Sequence, residues 1–157
     1  MSDTADYFET RLTASSGPYS TRDYTILLEA VPLPGERTFL HLSFSYAFGV
    51  RAALAMRAYL ASVGNGKIGF TVVGKDAGGE PRHVGDMRGV LERNTMRYCL
   101  AIDAYLKTLS SAPEARFENR LREWFAATER YAPRLHELEQ PEYLAMKRDE
   151  YRRQSRQ

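Results

Sequence analysis

Seven chemically capable side chains crowd one short stretch of the chain. They combine guanidinium groups, an imidazole, two carboxylates and an amide, and they are Arg82, His83, Asp86, Arg88, Glu92, Arg93 and Asn94. Guanidinium groups are planar forks that match carboxylates and phosphates, and histidine titrates near neutral pH. The stretch therefore predicts either anion binding or acid–base chemistry.

Anion binding is the first of these hypotheses. The pattern predicts a strand that ends near Val84, followed by a helix whose first-turn amides carry partial positive charge. Together with Arg82, Arg88 and Arg93, those amides could bind a carboxylate or phosphate. Asp86 opposes this, because as the helix N-cap it would occupy the same amides and repel an anion.

Acid–base catalysis is the alternative, with His83 as a general base oriented by Asp86. Asn94 falls in the apolar arc of the predicted helix, where an unpaired amide would cost on the order of 1–3 kcal/mol. We expect its partner to be the neighbouring sheet, a tyrosine hydroxyl or a ligand. If the protein is an enzyme, His83 and Asn94 must share one pocket.

Familiar catalytic and metal motifs are absent from the sequence. It has no nucleophile elbow, His-Glu-x-x-His, Walker loop or dinucleotide fingerprint. Residues 64–67 predict a turn rather than a phosphate loop. A single cysteine excludes an internal disulfide and every cysteine-based zinc pattern, and the histidines show no ligand spacing. We predict no metal and no cofactor.

The charge balance excludes little by itself. The chain has 157 residues and a formal charge of +2. Residues 51–67 hold three basic groups and no acid, and the last helix is basic overall, so weak nucleic-acid binding is a third hypothesis. We disfavour it, because such charges usually pair within the chain. No run approaches the ~20 apolar residues of a membrane span, which predicts a cytoplasmic protein without a membrane partner.

Strands are predicted in the first half of the chain. Residues 1–20 end in a turn-rich stretch and predict a loose arm or short helix. Residues 23–31 predict a mostly buried strand. Residues 39–46 alternate in polarity and predict another strand, although a helix over 36–63 also fits their spacing. Residues 50–61, rich in alanine, are helical under either interpretation.

A β-hairpin over about 67–84 is the clearest element. Helices are then predicted over 87–109, from a capping box at Ser111 and Glu114, and over about 142–153. The sequence thus predicts an α+β fold: a small antiparallel sheet with the hairpin, packed against several amphipathic helices, as a single domain over 21–157 with a polar C-terminal helix and an N-terminal arm over 1–20.

These observations favour a non-catalytic domain that binds a small anionic ligand or another protein. The ten tyrosines suit subunit interfaces, so we expect a homo-oligomer. The alternatives are an enzyme in which His83 acts on an anionic metabolite, and a weak nucleic-acid binder that uses residues 51–67 and the tail.

Overall fold

The computed structural model describes residues 2–4, 6–17, 20–62 and 64–156. The chain clusters into two compact units, which meet in sequence between Leu91 and Glu92. Within the described residues, the first unit contains six strands, one helix and the start of a second: β1 (Ser2–Thr4), β2 (Tyr7–Ser16), β3 (Thr21–Leu33), β4 (Arg37–Phe48), α1 (Val50–Ala61), β5 (Val72–Lys75), β6 (Pro81–His83) and α2 (Asp86–Lys107).

The second unit contains the rest of α2 and a series of helices. They are a 3-10 turn at Pro113–Ala115, α3 (Arg116–Glu129), the short α4 (Ala132–Leu135) and α5 (Gln140–Gln154). The α+β class predicted from the sequence is therefore confirmed. Within the described residues, no helix combines the length and the apolar character needed to cross a lipid bilayer.

The strands β1 to β4 form one antiparallel sheet in chain order. Strands β3 and β4 are joined by a tight turn at 34–36, where Gly35 has a φ of 78°, a value that glycine adopts without steric cost. The strand predicted over 39–46 is confirmed, and the rival helix over 36–63 is not formed. The strand forms instead of the helix because β3 pairs along almost the whole length of β4.

The N-terminal segment differs from the predicted arm over 1–20. Residues 2–4 and 7–16 are strands, and β2 pairs with β3 from Phe8 to Ser16. The sequence pattern did not predict strand β2, because its alternation is short and the residues that follow Thr13 are typical of turns. Pairing with β3 satisfies the backbone hydrogen-bonding groups of β2, and this tertiary contact is not encoded in the strand propensity of β2 itself.

The predicted hairpin is confirmed, since β5 and β6 pair antiparallel. Its turn is closed by the Asp76 carboxylate, which accepts the backbone N–H groups of Gly78 and Glu80 at 2.8 and 2.9 Å. The hairpin does not extend the other antiparallel sheet, because β5 and β6 form a separate two-stranded sheet. The prediction of one domain over 21–157 stays a prediction.

The helices of the second unit are joined by polar contacts. The indole N–H of Trp124 donates to the Arg97 carbonyl at 3.1 Å. Arg148 on α5 donates two hydrogen bonds to the carboxylate of Glu118 on α3, at 2.6 and 2.7 Å. Helix α3 begins through the 3-10 turn, and the predicted capping box does not form. The Ser111 hydroxyl instead accepts a hydrogen bond from Asn119 at 3.1 Å.

The buried apolar side chains of the described residues lie outside the four-stranded sheet. They belong to helices and are Ala52, Val90, Leu100, Ala104, Ala127, Leu135, Tyr143 and Leu144. Sheet residues whose exposure is described are at best half-buried. The largest β element of the molecule therefore contributes no closed core of its own.

Candidate functional site

The predicted change from strand to helix is confirmed. Strand β6 ends at His83 and α2 begins at Asp86. Asp86 is exposed and has a φ of 49°, in the left-handed region that aspartate tolerates better than most side chains. The Gly89 N–H donates to the Gly85 carbonyl at 2.7 Å, so Asp86 lies in the first hydrogen-bonded turn of the helix.

The two residues of β6 singled out from the sequence have different environments. Arg82 is exposed, whereas His83 is half-buried. The Nδ1 atom of His83 lies 3.2 Å from the Phe70 carbonyl oxygen, and because a carbonyl only accepts, this nitrogen is the donor. His83 thereby ties β6 to the chain that precedes β5.

The α2 residues of the predicted site lie on different sides of the helix. Arg88 is exposed, but Arg93 is only 1% exposed. Five positions along a helix correspond to about 140° around its axis, so the two guanidinium groups leave it in different directions. Asn94 has a partner on its own helix, because Arg97 donates to its amide oxygen at 3.3 Å. Anion binding and catalysis at these residues stay predictions.

A second polar cluster, which the sequence did not single out, lies on one face of the four-stranded sheet. Glu9, Glu29 and His41 are directly opposite one another on β2, β3 and β4, and opposed residues project to the same face. The Tyr7 hydroxyl lies 2.7 Å from Glu29 and 2.9 Å from Glu9. The Nδ1 atom of His41 lies 2.8 Å from the other oxygen of Glu29. We call these four residues the polar cluster.

Electrostatics follow from these contacts. The hydrogen bond from His41, and next that from Tyr7, lowers the pKa of Glu29. In return, the bond to Glu29, then burial and the bond to Glu9, raises the pKa of Tyr7. A carboxylate that orients an imidazole is the arrangement of a general base, but the His41 side chain is 56% exposed. Water therefore reaches the imidazole freely, and the cluster is suited to joining three strands.

The opposite face of the same sheet is apolar. Its rows of facing residues across β2, β3 and β4 are Phe8–Ala30–Leu40, Thr10–Leu28–Leu42 and Leu12–Ile26–Phe44. We call this surface the apolar face. Its rings continue beyond these rows, because Tyr24 and Tyr46 stack with centroids 5.2 Å apart. None of its residues is buried, and Leu12 is 61% exposed.

Metal chemistry finds no support in the described part of the chain. No group of three or more His, Cys, Asp or Glu side chains there is placed to hold a metal ion. Comparison of the chain with protein-family models, curated proteins and solved structures finds no match.

Proposed function

We propose that this protein is a non-catalytic protein-interaction domain that self-associates through the apolar face of its N-terminal sheet. The observation that carries the proposal is that every residue of this face remains half-buried or exposed. Apolar surface left in water costs about 25 cal/mol per Å². Monomeric proteins rarely leave a contiguous apolar patch of more than a few hundred Å² uncovered.

The dimensions of the sheet support a second copy as the partner. The shortest of its three long strands has 10 residues, and at about 3.4 Å per residue and 4.8 Å between strands the three cover roughly 34 by 14 Å. Two such faces packed together bury about 1,000 Å², which is the minimum expected of a biological interface and just below the usual size of a stable one. Two antiparallel sheets packed in this way form a sandwich whose layers lie about 10 Å apart.

Charge also supports self-association through this face. The three rows of the apolar face contain no ionisable side chain. Two copies can therefore meet without opposing like charges or burying an unpaired ion, which is the usual penalty at an interface. The polar cluster projects to the other side of the sheet and stays in water.

Ion pairing in α5 supports a protein partner over a nucleic acid. Lys147 pairs with Glu150 at 2.8 Å, Arg148 pairs with Glu118, and Arg152 pairs with Asp149. Each pair neutralises charge that a phosphate backbone would need.

Sedimentation velocity over a range of concentrations tests the proposal. We expect the wild type to populate a dimer or a larger closed assembly, and Leu12→Glu to reduce it, because a carboxylate would be buried unpaired in the contact. The matched control is Thr13→Glu, which adds the same charge at the next, exposed position of β2 but on the opposite face. Circular dichroism verifies that both variants fold.

Two outcomes would overturn the proposal. A wild type that remains monomeric at the highest soluble concentration removes self-association. A Leu12→Glu variant that associates as the wild type does, while Thr13→Glu dissociates, assigns the contact to the other face.

A further inference from the structure

The outer edge of β4 is not paired with any described strand. Strand β4 is the last strand of the sheet order, and β3 is its one hydrogen-bonded neighbour among the described strands. Alternate backbone N–H and C=O groups along the 12 residues of β4 therefore point away from the sheet. Exposure agrees, since Phe39 is 55% and Leu40 is 45% exposed.

This edge lacks the devices by which proteins block edge-to-edge pairing. Natural edges are kept short, bulged, or marked with lysine, proline or inward charges. Strand β4 is long, contains no lysine, proline or carboxylate, and the sheet's irregularity lies in β3 between Arg22 and Thr25. The other end of the sheet order is formed by β1, which has just 3 residues.

The sequence of β4 is complementary to itself in an antiparallel arrangement. Residues that face each other must project to the same side of a sheet, so Leu must meet an apolar residue and Ser a polar one. The register that meets this rule and pairs all but one of the 12 residues places Ser43 opposite its own copy. In this register His41 faces Ser45, and Arg37 is the one residue left unpaired, so no like charges meet.

We propose that β4 pairs antiparallel with β4 of a second copy about a two-fold axis at Ser43. The inference rests on the proposed function in taking a second copy as the partner, but it uses a different surface. Edge pairing joins two sheets into one of eight strands and leaves the apolar face open. Both contacts together close a tetramer with two continuous sheets packed face to face, since closed symmetric assemblies of this kind are common.

Two variants that introduce opposite charges at the axis test the edge contact. The variants Ser43→Lys and Ser43→Glu each place like charges directly opposite each other at the axis, where they repel. We expect each variant alone to sediment at half the mass of the wild-type assembly, and an equimolar mixture to regain the full mass. The control is Thr13→Lys, which adds a lysine to an exposed position of β2, a strand that β3 separates from β4.

The outcomes separate this inference from the proposed function. Wild-type mass in both Ser43 variants, with loss of mass in Leu12→Glu, overturns the edge contact and leaves the proposed function standing. Loss of mass in the Ser43 variants, recovery in their mixture and no effect of Leu12→Glu support the edge contact and overturn the proposed face. An open-ended polymer that Thr13→Lys disperses overturns the two-fold arrangement, because it assigns pairing to the free edge of β2.

Discussion

Truncation of Leu12 to alanine gives the most quantitative test of the apolar face. Removing three carbon groups from a fully buried leucine costs about 2.4 kcal/mol, at about 0.8 kcal/mol per group. Leu12 is 61% exposed in the single chain, so about 1.5 kcal/mol of this belongs to the contact with the second copy. Leu12 occurs twice in a symmetric dimer, so Leu12→Ala should cost about 3 kcal/mol and weaken dimerisation about 100-fold.

The same substitution on the other face is the control. Leu33 of β3 is 42% exposed and has the parity of Glu29, so it projects on the side of the polar cluster. We expect Leu33→Ala to leave the dimer dissociation constant within about threefold of the wild-type value, which is the effect of a few tenths of a kcal/mol. Sedimentation equilibrium measures both constants.

The stability of the free chain provides an internal check. The 39% of Leu12 that the chain itself covers, the remainder of the exposed 61%, limits the effect of Leu12→Ala on unfolding of the monomer to about 1 kcal/mol. Equal dissociation constants for the Leu12 and Leu33 variants would refute the reasoning. So would a Leu12→Ala effect confined to the unfolding of the monomer, because the side chain would then touch nothing in the assembly.

Three further predictions concern the stability of the two units. Because the pKa of Glu29 is lowered, its carboxylate stabilises the folded sheet above pH 4.5, the ordinary value for this carboxyl. This stabilisation is lost as the pH falls further, through the lowered pKa. His41→Ala should reduce the decrease in unfolding free energy at acidic pH, as measured by urea unfolding from neutral to acidic pH. Burial, and next the charge of Glu150, raises the pKa of Tyr143 from 10.0 to about 12, so stability should fall as pH rises between these values. The Tyr143→Phe variant should lack this alkaline loss, and an unchanged profile would contradict the assignment. Leu135 is 3% exposed, and Leu135→Ala should lower the free energy of unfolding, measured in urea, by about 2–5 kcal/mol. The control is Leu106→Ala, at a position 51% exposed, which should change the free energy of unfolding by less than about 0.5 kcal/mol.

Local patterns predicted the elements that they encode directly. Alternation indicated β4, glycines and Asp76 indicated the hairpin, and helical periodicity indicated α2 to within two residues at each end. The strand β2 escaped prediction, because its stability comes from pairing with β3 rather than from its own composition. The separation of the two sheets escaped for the same reason, since strand partners are not written into either strand alone.

The candidate surfaces show the same division. A polar row containing His41 was visible in the sequence, but its contact with Glu29 depends on the register of two strands. That register is set by the turn at 34–36 and by the apolar side chains on the other face. Likewise, Asn94 was expected to need a hydrogen-bond partner, and the helix placed Arg97 beside it.

The sequence by itself determined the α+β class, the two clearest hairpin strands, the long helices and the alternation that makes one face of the sheet apolar. These depend on neighbours within a few positions, where backbone propensity and side-chain period act directly. Tertiary structure alone decided which strands pair, that Arg93 is buried while Arg88 is exposed, and that no residue of the apolar face is buried. Such outcomes depend on contacts between distant residues, whose partners are selected by the packing of the whole unit.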